Sequence, residues 1–512
     1  MVDRPIDTRE SVKNIKGFKT IVSDSIINFS SKILSNIFYF LFITFLAKSL
    51  GDTVYTQYGY FLMVAQFLYL VFLVWLQNGM LITGRQEFLE TNKINRTFTA
   101  NLLLILPIII ALIFSLFALK KIVFGYLHYG ADSMIILLCA YFILNYISEI
   151  YYYSLQSVGE IKIMSTAQAI EKAAPFFIII IIYFFYGQIS LNTAIAVLLS
   201  GFFFSQLYIS LRTKLSYFLP LKFDKKLLKK FFDISAPIFF GSAVGYALTW
   251  ADMGIMKDLR HLFSDAEISS FFYCQLLVNG VNQTAIVLLT ILLPLTISLI
   301  VKNRKDLLND LLSGISIIFM TVIFFCINLL WFLMHFVFIY ILKKNNIFEI
   351  SFVLNIMLIS APLTIFLNVL SALINGYELL WGFSINNIVS VTVKILVSYF
   401  LILKFGIVGG GLGTIACKIV SIILYKYILR KQISVPLRNV MIFMCFMLLC
   451  STLFLIIKNI YICFVVNNIL LFAYIKIYRV FDKTKIQILD KLDIPVSIKS
   501  MMFRFFGYLE SK

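Results

Sequence analysis

The chain has 512 residues, 61% of them hydrophobic and only 13% charged, with a mean hydropathy of +0.94 and a formal charge of +19. So apolar a composition excludes a soluble globular domain of this length. The positive charge does not mark a nucleic-acid binder, because the lysines and arginines collect in short segments between apolar runs, where anionic lipid headgroups are the expected partner.

Residues 1–20 form a basic N-terminus containing Arg4, Arg9, Lys13, Lys16 and Lys19. It lacks a short apolar stretch with a cleavage site, so the first span is expected to direct insertion itself. About fourteen runs then reach the ~20 residues a helix needs to cross a hydrocarbon core. They are 21–46, 55–80, 99–118, 133–156, 163–185, 191–210, 232–256, 269–300, 309–341, 350–375, 382–403, 410–429, 439–457 and 459–478. The predicted fold class is an all-α polytopic membrane protein. With the N-terminus in the cytoplasm, about 30 of the 44 basic residues fall in loops on that side and about nine on the other, which places both termini in the cytoplasm.

The longest internal loop, 211–231, is basic and follows the sixth span. It divides an N-lobe (21–210) from a C-lobe (232–430), each with six spans; two further spans occupy 431–478. Residues 479–512 form a basic tail with Phe503, Phe505 and Phe506 interleaved, expected to lie on headgroups. A faint repeat relates the halves: one offset pairs Asp24 with Asp233 and Lys48 with Lys257, and another pairs Gln156 with Asn375 and Tyr208 with Tyr427. Repeats of six spans share orientation, about an axis along the membrane normal.

Polar residues concentrate in a few spans. The first carries Asn28, Lys32 and Asn36 at four-residue spacing, which a helix places on one face. The fourth carries Asn145 and Glu149, the fifth Gln168, Glu171 and Lys172, and the eighth Asn279, Asn282 and Gln283. Asn386, Ser390, Lys394 and Ser398 recur every fourth residue in the eleventh, and the twelfth adds Thr414, Lys418 and Ser421. At 1.5 Å per residue, Lys32, Lys172 and Lys394 lie on the order of 14–18 Å from their cytoplasmic ends and Lys418 about 12 Å from the outer end. A charge at that depth costs roughly 2.5–3.5 kcal/mol on insertion scales, so it is turned toward protein or water. A lone Asn or Ser there is ordinary interhelical glue, but glue does not require charge. The four lysines therefore predict a positive central cavity suited to an anionic cargo. Glu149 and Asp252 admit two readings: ion-pair partners that lower the cost of burial, or proton or sodium sites that couple transport to a gradient.

Gly241 and Gly245 share a helix with Asp252 at a spacing that predicts close helix packing, with a hinge as the alternative. Gly409, Gly410, Gly411 and Gly413 lack the strand and the Lys-Ser/Thr of a phosphate loop and predict a tight turn with close packing. The seven cysteines and three histidines show no metal-ligand or redox spacing, so neither catalysis nor a cofactor is expected.

Three short motifs accompany this plan: Leu46–Gly51 leading into Tyr58–Gly59, Trp250-Ala-Asp252-Met-Gly-Ile-Met-Lys257, and Phe405-Gly406-Ile-Val-Gly409. With the twelve-plus-two arrangement over residues 15–478, the chain resembles the multidrug/oligosaccharidyl-lipid/polysaccharide (MOP) exporters, in their polysaccharide-flippase (Wzx-type) branch. Met253 stands where that pattern often has a basic residue, so the resemblance supplies Asp252 with no adjacent partner. It implies two six-helix lobes around a central cavity, a MATE-like fold working by alternating access. The implied cargo is an oligosaccharide on a polyprenyl diphosphate, and a polysaccharide polymerase and chain-length proteins are the implied partners. On this reading Lys32, Lys172, Lys394 and Lys418 attract the diphosphate or acidic sugars, and Asn28, Asn36, Asn279, Asn282 and Gln283 contact hydroxyls. A peptidoglycan-precursor flippase shares the diphosphate, a drug/cation antiporter calls for an acidic cavity, and a membrane polymerase calls for a large outer loop.

Overall fold

The computed structural model describes residues 18–480 apart from 128–129, 131, 302–303, 311, 313, 315, 345, 378, 436 and 479. Asp24, with the rest of residues 21–26, and the basic tail fall outside the residues whose side chains are described. The first helix, α1 (Phe18–Phe72), has 55 residues, which at 1.5 Å each is about 80 Å, far beyond a ~30 Å hydrocarbon core. Gly51 interrupts it with φ 72° and ψ 166°, a backbone conformation open essentially to glycine alone. The chain reverses there and recrosses through residues 52–72 and α2 (Trp75–Thr91).

The N-lobe continues through α3 (Asn95–Ala118), α4 (Lys120–Leu127), α5 (Asp132–Val158), α6 (Ile161–Tyr186) and α7 (Leu191–Arg212). The C-lobe comprises α8 (Lys225–Asp258), α9 (Asp265–Val301), α10 (Lys305–Asp310), α11 (Ser316–Phe336), α12 (Ile347–Gly376), α13 (Leu380–Phe405) and α14 (Val408–Leu429). Helices α15 (Leu437–Ile457) and α16 (Ile460–Ile477) follow. Among the described residues, twelve helices are long and apolar enough to cross a membrane. The first of these, Ser30–Thr91, contains the Gly51 reversal and so holds two predicted spans, and α9 supplies the eighth. Every predicted run thus overlaps helix in a multi-pass, all-α membrane protein, with 55–80 divided between α1 and α2 and 309–341 between α10 and α11.

In the N-lobe α6 packs on α1 and α7, and α5 on α7 and α2; in the C-lobe α13 packs on α8 and α14, and α12 on α9 and α14. Helices α15 and α16 lie against α11 and α12. The loops after α2, α5 and α7 meet on one face, where Tyr217 bonds Ile94 and Glu160, and alternation of the membrane-spanning helices puts the loop after α14 there too; it is called the basic face after its lysines. The two lobes meet along α1–α9 and along α2–α8.

The two glycine expectations part company. A methyl on Gly413 would sit 2.0 Å from Ser398 Oγ, and one on Gly409 2.3 Å from the Leu401 backbone, so α13 and α14 touch backbone to backbone as expected. Gly241 and Gly245 do the reverse: a methyl on either meets nothing within 4 Å. Their face of α8 borders open space, which corrects the close-packing expectation; the spacing alone cannot tell a glycine that admits a neighbour from one that leaves a gap.

The basic linker is not free chain. Ile94 N donates to Tyr217 O (2.9 Å), Asn95 Nδ2 to Pro220 O (2.7 Å), and Phe218 is buried against Phe98 and Tyr151. Asp224 caps α8 eight residues before the predicted span, accepting from the backbone N–H groups of Lys226 (3.0 Å) and Leu227 (3.1 Å) and pairing with Arg96 at 3.4 Å. The Leu227 and Lys226 amides, with Arg96 beside them, hold its carboxyl below the usual carboxylate range. Loss of this cap in Asp224→Ala is expected to cost about 1 kcal/mol at neutral pH, read as a lower melting temperature of the purified chain. A carboxylate with a depressed pKa stabilises above its unfolded value of about 3.9 and loses that contribution as pH falls through the folded value, so the gap to wild type should close on acidification below that point.

Candidate functional site

The central polar residues gather in two clusters, one per lobe. In the N-lobe, Glu171 on α6 is buried and held by the ammonium of Lys172 at 2.6 Å. Tyr152 on α5 donates to its other oxygen at 2.7 Å and shares a 2.6 Å bond with Ser205 on α7. Lys172 keeps about a third of its side chain exposed and lies 5.6 Å from the ring centre of Tyr39 on α1. Glu149 accepts from Gln77 at 3.4 Å, and Gln77 also donates to the Tyr69 hydroxyl. Lys32 shares the field of Glu149, Lys172 and Glu171, yet its own ammonium has no hydrogen-bond or ion-pair partner among the described residues.

In the C-lobe, Lys394 on α13 and Asp252 on α8 form an ion pair at 2.9 Å with side chains only 4% and 3% exposed. Lys394 also donates to the Leu248 carbonyl, and Thr414 on α14 donates to Asp252 Oδ2 at 3.2 Å. The partner that the sequence withheld from position 253 therefore comes from another helix 142 residues on. Lys418 on α14 donates to Ser360 O at 2.8 Å and to Thr364 Oγ1. Thr364 in turn donates to Asn282 Oδ1 on α9 at 3.1 Å. Asn279 is partly buried and Gln283 exposed on the same helix.

Two of the predicted contacts turn out to tie helices together. Asn28 accepts from Ser165 at 3.3 Å, joining α1 to α6, and Asn36 donates to Gly280 O at 3.1 Å, joining α1 to α9 across the lobes. A polar belt thus runs from Lys32 and Asn36 through Gly280 and Asn282 to Thr364 and Lys418. Its two lysines have no carboxylate partner among the described residues, whereas Lys172 and Lys394 each have one. Gln77, Tyr69, Tyr152, Ser205, Ser360 and Thr364 were not singled out by sequence. Ser360 and Thr364 share a four-residue spacing that could have marked them; the tyrosines look like interfacial belt residues until the fold buries them.

On the face opposite the basic one the lobes are closed. Asp52, just after the Gly51 reversal, pairs with Lys344 and accepts from Ser269 at 2.6 Å. Thr44 bonds Tyr273 (2.7 Å), Thr56 donates to Asp265 O (3.1 Å), and Trp250 Nε1 donates to Gln66 (2.9 Å). Lys257 sits 3.0 Å from the Tyr126 ring centre, bridging α8 and α4. A cavity of ≈ 300 Å³ lies beside this closure, lined by Lys48, Asp52, Lys343, Lys344 and Glu349 among others.

No family model matches the sequence, and no curated protein matches it. Solved structures do. The lipid II flippase MurJ in an inward closed conformation superposes with TM-score 0.64 at 15% identity, over 89% of this chain and 98% of that one. An inward-facing multidrug resistance MATE family transporter of the MOP superfamily gives 0.61 at 14%, over 79% and 97%. The Vibrio cholerae MATE transporter VcmN in its bent form gives 0.56 at 12%, over 81% and 97%. The chain therefore has the helical fold of these solved transport proteins.

Proposed function

We propose that the chain flips a polyprenyl-diphosphate-linked oligosaccharide repeat unit, of O-antigen, capsule or exopolysaccharide, from the cytoplasmic to the outer leaflet by alternating access. The observation that carries this reading is the polar belt across the lobes, in which Lys32 and Lys418 make no ion pair with a carboxylate among the described residues. A diphosphate needs ammonium donors, and a sugar needs amides such as Asn279, Asn282 and Gln283. A cation antiporter would need the reverse balance of charge. In this reading the basic face is cytoplasmic in a bacterial inner membrane, and the closed opposite face is where cargo leaves. Glu149 and Asp252 are the candidate coupling acids, for a proton or sodium ion.

Coverage of nearly the whole lipid II flippase favours one second reading, a flippase for peptidoglycan precursor, whose cargo carries the same diphosphate. A clean deletion in the source bacterium separates them. Loss of surface polysaccharide, with single repeat units accumulating on the lipid carrier, is the expected result. Accumulation of the cell-wall precursor would move the assignment to the second reading, and altered drug sensitivity alone would sink both.

A further inference from the structure

We infer that the linker between the lobes is a docking surface for an anionic lipid leaflet. Lys214, Lys222, Lys225, Lys226 and Lys229 are all exposed. Asp224 is the one acid in residues 211–230, and its carboxylate is already taken by Arg96 and the α8 cap. Leu211 at the end of α7 and Leu215, Leu219, Leu221 and Phe223 among these lysines are exposed by 76%, 64%, 48%, 53% and 61%. In water, so many large apolar side chains within one loop would be a liability. At the bilayer boundary they can enter the acyl region while the lysine stems reach back to the phosphates.

The other face of the linker is spoken for, through Tyr217, Phe218 and Pro220 on the N-lobe, so the lysine-rich face is the one left for a partner. The charge is also costly where it stands. Lys225 and Lys226 occupy the first turn of α8, where the helix dipole disfavours cations and no acid follows the cap. A layer of lipid phosphates outside would offset that repulsion. Because the linker is the covalent join of the lobes, its docking fixes that join at headgroup depth.

The test is amide hydrogen exchange on the full chain in nanodiscs of phosphatidylcholine, with or without roughly a quarter phosphatidylglycerol. Exchange over residues 211–223 is expected to slow about fivefold in the anionic discs, and 0.5 M salt should reverse most of that change, since about 0.5 M shortens the screening length to a few Å. Replacing the five lysines by glutamine (K214Q, K222Q, K225Q, K226Q and K229Q together) should return exchange to the phosphatidylcholine rate, with α12 unchanged as the control for folding. Equal exchange in both lipids, or protection that survives salt in the wild-type chain, would overturn the inference. Protection lost only on changing Leu215 and Phe223 to serine, with the lysines irrelevant, would also overturn it, leaving plain hydrophobic contact.

Discussion

Replacing Lys394 with methionine is expected to destabilise the folded chain by about 3–5 kcal/mol, because it leaves Asp252 as an uncompensated buried charge. Both side chains are almost fully buried, and only Thr414 remains to donate to the carboxylate. The partner change, Asp252→Leu, should cost a similar amount by stranding the ammonium against the Leu248 carbonyl. The double replacement removes both charges and fills the space with apolar atoms, a swap that is commonly neutral or stabilising by about 1–4 kcal/mol. It should melt near the wild-type temperature. Stability alone therefore gives no reason to place this pair inside the bilayer, and an intramembrane ionisable pair points to function. Reconstituted into vesicles, the double variant is expected to fold but not transport. If it transports normally, Lys394 and Asp252 are structural and neither contacts cargo nor couples an ion.

That pair also marks where sequence reading stopped. The helices were legible because membrane crossing demands long apolar runs, and each predicted run overlaps helix. Depth was legible too, since helical rise converts residue number into distance. What a linear pattern cannot carry is which helix lies next to which. Lys394 had the clearest stripe, and the fold spends that lysine on Asp252, 142 residues away. Asn28 and Asn36 stood on the same stripe as Lys32, yet they bind Ser165 and Gly280 and hold α1 in place. Gly241 and Gly245 had the spacing of a packing seam and border open space instead. Conversely, the Asp52–Lys344–Ser269 closure joins α1 just past its glycine break, the loop before α12 and the first turns of α9, and left no periodic trace at all.

Lys32 is the cleanest place to test the cargo. Its ammonium has no ion-pair or hydrogen-bond partner among the described residues, so Lys32→Ala breaks no direct contact, although it removes the positive charge that faces Glu149. Lys172→Ala is a poorer probe, because it strips Glu171 of its 2.6 Å partner and confounds transport with folding. A charge-assisted hydrogen bond to a phosphate contributes about 1.5–3 kcal/mol, so Lys32→Ala should weaken cargo engagement roughly 10- to 150-fold. Vesicles loaded with a lipid-linked diphosphate oligosaccharide on one leaflet would report this as a slower appearance on the other. Lys32→Arg, which keeps the charge, should retain much of the rate, and Lys32→Glu should lose more than alanine does. The melting temperature should change little in any of the three, which separates binding from folding. Lys418→Ala should act in the same direction, less cleanly, because it also frees Thr364 from its bond and loosens Asn282. Wild-type flipping in all four single Lys→Ala variants would mean that the lysines do not read the diphosphate. The lysines of the belt would then be a packing solution, and the cargo would have to be recognised through its sugars by the amides of α9.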